Sequence, residues 1–108
     1  DGILALSQAL PNSLVTLSLD FEYCEQISSI AMAAFAEGLP ATLRELSLIF
    51  RDCFRIDDLG LKKLGEKLPG TVKFLELCFR RSPSVSDKGV QGLVGCLPAA
   101  LHTLKLNF

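Results

Sequence analysis

The fold is decided by the stretch Leu43-Arg44-Glu45-Leu46-Ser47-Leu48-Ile49-Phe50, of which the chain holds four versions. Each version fits the template apolar-x-x-Leu-x-Leu-x-Phe and comes shortly after a Leu-Pro pair. The pairs, Leu10-Pro11, Leu39-Pro40, Leu68-Pro69 and Leu97-Pro98, recur every 29 residues. A constant period of roughly 20 to 50 residues indicates a solenoid, in which each repeat is one structural unit.

Each repeat is predicted to contain a strand followed by a helix. Apolar and polar residues alternate in the eight-residue stretch, which predicts a short strand with its leucines turned inward. The second half predicts a helix, because two cap-capable residues precede apolar residues at i, i+3 and i+7. The cap pairs are Ser28-Ser29, Asp57-Asp58 and Ser86-Asp87, and the apolar positions are Met32, Phe35, Leu39; Leu61, Leu64, Leu68; Val90, Leu93, Leu97. The prolines at 40, 69 and 98 end the helices. A column of small residues, Gly2, Ala31, Gly60 and Gly89, predicts close packing of helix against strand.

Over its whole length this pattern resembles the leucine-rich repeat family, specifically its ribonuclease-inhibitor-like class. The resemblance implies an α/β fold: a right-handed leucine-rich-repeat solenoid with parallel strands on the concave face and helices on the convex face. We expect one domain over residues 1–108, with a partial repeat 1–9, repeats 10–38, 39–67 and 68–96, and a partial repeat 97–108. Because both ends fall inside repeats, we expect a section of a longer array or a piece covered by neighbours in an assembly.

The chain departs from the family pattern at the corner after each strand. Where the usual motif has Asn or Cys, this sequence has Glu22, Arg51 and Arg80. A cysteine, Cys24 or Cys53, comes two residues later in the first two full repeats. An inward phenylalanine (Phe21, Phe50, Phe79) predicts a longer corner above an aromatic ladder. Cys24 and Cys53 are expected to form a buried ladder of small apolar residues, with a disulfide between the two repeats as the alternative.

The composition argues against several functions. The net charge of −1 gives no global field that favours nucleic acid or a membrane surface. No apolar run approaches the roughly 20 residues of a membrane span, so we expect no direct membrane insertion. Four cysteines without a secretory leader suggest an intracellular, reducing compartment, by default the cytoplasm. The charge is uneven: residues 1–43 hold five acids and no Lys or Arg, whereas the remainder holds eleven basic residues and seven acids.

Catalysis and metal binding find little support in the sequence. His102 is the only histidine, and no phosphate-binding, dinucleotide or nucleophile-elbow motif is present. No Cys or His spacing suits zinc. The pair Asp57-Asp58 stands at a predicted helix start, where capping accounts for it. We therefore expect no enzyme activity, no catalytic residues, no cofactor and no metal.

The concave face is the first candidate for binding. Its predicted partner-binding residues are Asp20, Glu22, Glu45, Ile49, Arg51, Phe74, Glu76, Cys78 and Arg80. Glu22 beside Arg51, and Glu76 beside Lys105, are expected to form cross-strand pairs, while Arg51 beside Arg80 places like charges together. Cys78 is expected to be exposed beside Ile49. This set predicts a docking site for an acidic segment, with Phe74 and Ile49 as apolar anchors. The alternative is a solvated sheet face whose charges only keep it soluble.

A second candidate lies on the convex side, where Ile30, Ala33 and Ala34 make the first full helix apolar on its outside. They form either a contact patch or a run of good helix formers without a partner. We therefore expect a protein-protein interaction module, a scaffold that binds through the concave face. The alternatives are a structural subunit or segment inside a larger multiprotein complex and, by fold analogy, an enzyme inhibitor or regulator. Nucleic acid is not an expected partner, and the oligomeric state stays open.

Overall fold

Strands and helices alternate along the chain in the predicted order. A computed structural model describes residues 2–22 and 27–108, and in this part four helices alternate with four strands. The helices are α1 (Gly2–Ala9), α2 (Ser29–Glu37), α3 (Asp58–Lys67) and α4 (Asp87–Gly95). The strands are β1 (Thr16–Asp20), β2 (Glu45–Ile49), β3 (Phe74–Cys78) and β4 (Thr103–Asn107).

The four strands form one parallel sheet in the order β1-β2-β3-β4 within the described residues. Each strand residue pairs with its equivalent one repeat later, so Leu46 lies beside Leu75 and Leu48 beside Leu77. Each helix contacts the helix of the next repeat. This arrangement confirms the predicted α/β solenoid, in which sequence position along the repeats becomes position along the sheet.

The core lies between the leucine side of the sheet and the helices. Leu46, Leu48, Leu75 and Leu77 are fully buried, and they join one apolar cluster with helix residues such as Met32, Phe35, Leu61, Leu64 and Leu93. Burying one such side chain stabilises the fold by about 1.5–3 kcal/mol relative to leaving it exposed. Because these side chains come from neighbouring repeats, stacking of the repeats supplies the core.

The predicted aromatic ladder is confirmed directly after the strands. Phe50 stacks on Phe21 with a centroid distance of 5.3 Å and an interplanar angle of 13°. On its other side it stacks on Phe79 at 5.4 Å and 14°, and Phe79 in turn stacks on Phe108 at 5.8 Å. The rings therefore form a continuous column that ties each repeat to the next.

The corner after the strand contains a left-handed residue. Asp52 and Arg81 stand one repeat apart, and both have φ of 57°. The left-handed conformation costs a residue with a Cβ about 1–2 kcal/mol. A backbone hydrogen bond between neighbouring repeats is formed at this corner, from the Asp52 N–H to the Arg80 carbonyl at 3.0 Å. An ion contact of 3.3 Å between Arg81 Nη2 and Asp52 Oδ2 links the two corners.

The column that begins at Cys24 has a polar role in the two later repeats. The Cys53 thiol is buried and hydrogen-bonds to the Phe21 carbonyl at 3.1 Å. Ser82, at the equivalent position, is also buried and donates to the Phe50 carbonyl at 3.3 Å. The expected burial is confirmed for Cys53, and both small side chains in addition satisfy carbonyl groups of the preceding corner. Cys24, and with it the disulfide alternative, lies outside the described residues.

The predicted helix caps are confirmed, and they are connected between repeats. Ser28, Asp57 and Ser86 accept hydrogen bonds from the first-turn amides of α2, α3 and α4. The Ser29 hydroxyl donates to Asp57 Oδ1 at 2.7 Å. One repeat later, Asp58 accepts from the Ser86 amide at 2.6 Å and from the Ser86 hydroxyl. The caps of α3 and α4 are thus each held by a side chain of the repeat before them.

The small-residue column packs against the neighbouring helix, so the prediction of close helix-to-strand packing is wrong. A Cβ added to Gly60 would lie 2.9 Å from Ser29 Cβ. A Cβ added to Gly89 would lie 2.9 Å from Asp58 Cγ and 3.0 Å from Asp58 Cα. The capping network brings the helix starts together, and a small residue is needed where they touch.

This network predicts a pH-dependent effect of Ser29→Ala. The hydrogen bond from the Ser29 hydroxyl, with a second from the Gly60 amide, holds the pKa of Asp57 below its ordinary value of 3.8. A carboxyl with a lowered folded-state pKa stabilises the fold above its unfolded pKa, and this contribution is lost as the pH falls through the folded pKa. We therefore expect Ser29→Ala to lower the free energy of unfolding at neutral pH and the loss to shrink below about pH 4.

Urea unfolding of the wild type and Ser29→Ala between neutral and acid pH measures the difference directly. Ser18→Ala is the matched control, because Ser18 is an exposed serine of β1 and its removal should have a pH-independent effect. A Ser29→Ala difference that stays constant down to acid pH would show that the hydroxyl does not act through the Asp57 carboxylate.

Candidate functional site

One face of the sheet points away from the helices, and we call it the sheet face. It carries the side chains of alternate strand residues together with Glu22, Arg51 and Arg80, which follow the strands. The strand register places them in the predicted columns: Thr16, Glu45, Phe74, Thr103; Ser18, Ser47, Glu76, Lys105; Asp20, Ile49, Cys78, Asn107. All nine predicted partner-binding residues therefore belong to this one surface, which corresponds to the expected concave face.

The centre of the sheet face is apolar. Phe74 and Ile49 are half-buried, although no other layer covers them within the described part of the chain. Cys78 is only 7% exposed, so the expectation of an exposed thiol is wrong. Its short side chain lies between the larger Ile49 and Asn107 on the two neighbouring strands, which shield it from solvent.

Charged side chains surround this centre. The expected pair of Glu22 and Arg51 is confirmed, with Oε1 of Glu22 2.9 Å from Nη1 of Arg51. Nearer β1, Glu45 accepts a hydrogen bond from the Thr16 hydroxyl at 3.2 Å. Asp20 is exposed at the end of β1, beside Ile49.

The expected ion pair between Glu76 and Lys105 is not formed, although the two residues face each other in the register. Glu76 instead accepts a hydrogen bond from the Ser47 hydroxyl at 2.9 Å. The Lys105 ammonium lies 5.6 Å from the centroid of the Phe74 ring, a cation–π contact. Each side chain has its contact with another strand, so the two charges do not form a direct ion pair.

Arg80 is an exposed cation on the sheet face, and among the described acids none forms an ion pair with it. The backbone bond from Asp52 to Arg80 sets it beside Arg51, as the alignment of repeats predicted. Arg51 and Arg80 therefore bring two positive charges to the end of the sheet face where β2 and β3 finish, while the Lys105 ammonium lies over Phe74 at the start of β3.

A groove of about 360 Å³ lies among these cations. Its lining includes Arg51, Arg80, Lys105 and Glu76, with Ile49 and Cys78 as the apolar part. The sequence placed these residues on one face, but it contained no signal for the groove itself. Chemically, the arrangement suits an anionic group attached to an apolar stem.

A second, smaller groove of about 190 Å³ lies on the helix side. Ser29, Ile30 and Ala33 of α2 and Leu59 and Lys63 of α3 line it. Ile30 is 83% exposed and Leu59 is 59% exposed. The predicted convex patch of Ile30, Ala33 and Ala34 is thus present as a surface, although Ala34 does not line the groove. Leu59 was not among the predicted residues. Its position one repeat after Ile30 indicates that it belongs to the same surface.

Other site classes have no counterpart in the described ranges. No group of three or more His, Cys, Asp or Glu side chains there could hold a metal ion. His102 is exposed just before β4, and its backbone amide donates to the Lys73 carbonyl. None of the helices in residues 2–22 and 27–108 is long and apolar enough to cross a membrane.

The architecture defines a leucine-rich repeat solenoid, and comparison with solved structures agrees. The crystal structure of the leucine-rich repeat-containing protein LegL7 from Legionella pneumophila matches 96% of this chain with a TM-score of 0.67. The sequence identity is 18%, and the match spans 32% of the LegL7 chain, so the likeness concerns the fold. No protein-family model and no curated protein matches the sequence. The chain thus has the leucine-rich repeat fold that its period predicted.

Proposed function

We propose that this chain is a protein-interaction module that binds a partner protein through its sheet face. The observation that carries the proposal is the open face of a parallel sheet. Parallel sheets usually have both faces covered, whereas here the helices cover one face and the other exposes Phe74 and Ile49 between charged side chains. An apolar centre with a charged rim is the usual anatomy of a protein interface.

The energetics of the surface support the same role. Aromatic and arginine side chains are enriched among residues that contribute most to binding, and the sheet face presents Phe74, Arg51 and Arg80. The sheet sets the backbone spacing between the repeats that carry these side chains at about 4.8 Å. Because the sheet face is preformed, its own backbone does not have to be ordered on binding, which limits the entropic cost on this side of the interface.

A second candidate is a structural role in which the helix side packs inside a larger assembly. Ile30 and Leu59 favour it, because two large apolar side chains are strongly exposed beside each other. Contiguous exposed apolar surface is typical of contact sites. In this case the helix-side groove, rather than the sheet face, would be covered by a neighbour.

One pair of variants separates the two functions. Phe74→Ala removes the aromatic ring from the sheet face, and Ile30→Ala removes the exposed apolar side chain of α2. Loss of a hot-spot side chain costs about 2 kcal/mol or more, about thirtyfold in affinity. We expect Phe74→Ala to lose partner proteins that the wild type captures from a native extract, and Ile30→Ala to retain them.

Circular dichroism and urea unfolding would first establish that both variants are folded. Loss of the captured proteins with Ile30→Ala alone would instead support the structural role. Retention of every captured protein by both variants would contradict the sheet-face proposal.

A further inference from the structure

We infer that the groove among Arg51, Arg80 and Lys105 receives the carboxylate of an aspartate or glutamate from an extended segment of the partner protein. The inference rests on the proposed function, because it requires the sheet face to be the binding surface. It names the chemistry that the surface recognises.

The charges at the groove favour an anion. Three cationic residues and one carboxylate, that of Glu76, line it. Its apolar part, from Ile49 and Cys78, has a lower dielectric than water and strengthens interactions with a charge placed there. Arg51 and Arg80 stand side by side, and like charges in neighbouring strands are destabilising. Because Glu22 already pairs with Arg51, a carboxylate bound here mainly compensates the charge of Arg80.

Arg80 and Lys105 have unused donor capacity. Arg51 is paired with Glu22 at Nη1, and its Nε–H, which has no acceptor among the described residues, is buried and out of reach of a ligand on the sheet face. Arg80 is exposed and forms no ion pair with a described acid. Lys105 contacts the face of the Phe74 ring, which leaves its ammonium hydrogens available for an oxygen acceptor. A planar guanidinium can also bind a carboxylate through two parallel hydrogen bonds.

The shape of the surroundings favours a side chain on an extended segment. The groove holds about 360 Å³, more than a carboxylate alone needs, and it opens onto the sheet face. Phe74 lies next to it beneath Lys105, where an apolar residue of the same segment can pack. In an extended segment, alternate side chains point the same way and can enter neighbouring pockets. We therefore expect an acidic residue close to an apolar or aromatic one in the recognised sequence.

Selection of short random peptides that bind the whole protein tests this directly. We expect the selected peptides to share an acidic residue, and its change from Glu to Gln to weaken binding about tenfold or more, the effect of losing a charge-assisted hydrogen bond. Arg80→Glu in the protein should weaken binding similarly. A peptide with Lys in place of the acidic residue should then bind Arg80→Glu better than it binds the wild type.

Lys62→Glu is the matched control, because it makes the same charge change at an exposed position of α3, on the helix side. It should leave peptide binding within about twofold, as expected for a surface charge remote from the site. Lys105→Glu provides a second change inside the groove if Arg80→Glu proves poorly folded.

Several results would overturn the inference. They are the selection of no peptides, selected peptides without a shared acid, and equal effects of Arg80→Glu and Lys62→Glu. Binding that becomes about tenfold tighter when phosphoserine replaces the acidic residue would assign the groove to phosphate instead. If Phe74→Ala abolishes peptide binding and Arg80→Glu does not, the groove inference fails while the proposed function stands. Binding that neither variant changes counts against both.

Discussion

We expect Phe50→Ala to lower the free energy of unfolding by about 3–5 kcal/mol, the usual cost of removing a buried phenylalanine. Phe50 is fully buried, and its ring is stacked between the rings of Phe21 and Phe79. Alanine leaves a cavity between two repeats and breaks both stacking contacts. Because each repeat is stabilised mainly by its neighbours, the loss also weakens the coupling between the two sides of the cavity.

Urea unfolding of wild type, Phe50→Ala and Phe50→Leu measures this effect. Leucine fills much of the ring's volume, so we expect Phe50→Leu to lose clearly less stability than Phe50→Ala. Phe54→Ala is the matched control, since Phe54 lies four residues later and is 47% exposed. A Phe50→Ala loss no larger than that of Phe54→Ala would contradict the structural role of the ladder.

Gly89→Ala is expected to lower the free energy of unfolding by about 1–3 kcal/mol, the typical cost of overpacking a close contact. In a helix the change from Gly to Ala normally stabilises by about 1 kcal/mol, so the expected sign is reversed. The reason is Asp58, whose Cγ and Cα would lie 2.9 Å and 3.0 Å from the new methyl group. A backbone atom cannot rotate away, so α3 and α4 must separate and strain the hydrogen bonds between Asp58 and Ser86.

Gly92→Ala in the same helix is the internal control. Its new Cβ would meet Lys62 Cβ at 3.4 Å, an ordinary contact with a flexible side chain. We expect this variant to gain up to about 1 kcal/mol, so two identical substitutions in α4 should have opposite signs. Thermal or urea unfolding gives both values, and a gain from Gly89→Ala as large as that from Gly92→Ala would contradict the close approach of the helix starts.

The 29-residue period predicted the strands, the helices, the caps and the columns of the sheet face. It did so because every repeat obeys the same local rules: alternation for strands, i, i+3, i+7 spacing for helices, and proline as a helix stop. The identical spacing also implied the strand register, since equivalent residues in neighbouring repeats must pair. The aromatic ladder followed from the same logic, because one buried ring per repeat leaves Phe50 next to Phe21 and Phe79.

Other features depend on which neighbouring side chain a residue contacts. The alignment of equivalent positions in the repeats does not show which contact is formed. Gly60 and Gly89 indicated close packing, but both the sheet and the helix of the preceding repeat lie within reach of a helix residue. Lys105 could contact either Glu76 or the Phe74 ring, and the structure shows the ring. The left-handed conformation of Asp52 and Arg81 had no glycine to indicate it. The burial of Cys78 depends on the size of side chains in two other repeats.

The measurement that tests the central claim most directly is covalent surface labelling of the protein alone and in complex with a captured partner. The claim is that the sheet face is the binding surface. It predicts that labelling of Phe74 and Ile49 falls strongly when the partner binds, while labelling of Ile30 and Leu59 stays unchanged. Protection of Ile30 and Leu59 with continued labelling of Phe74 would contradict it and place the partner on the helix side.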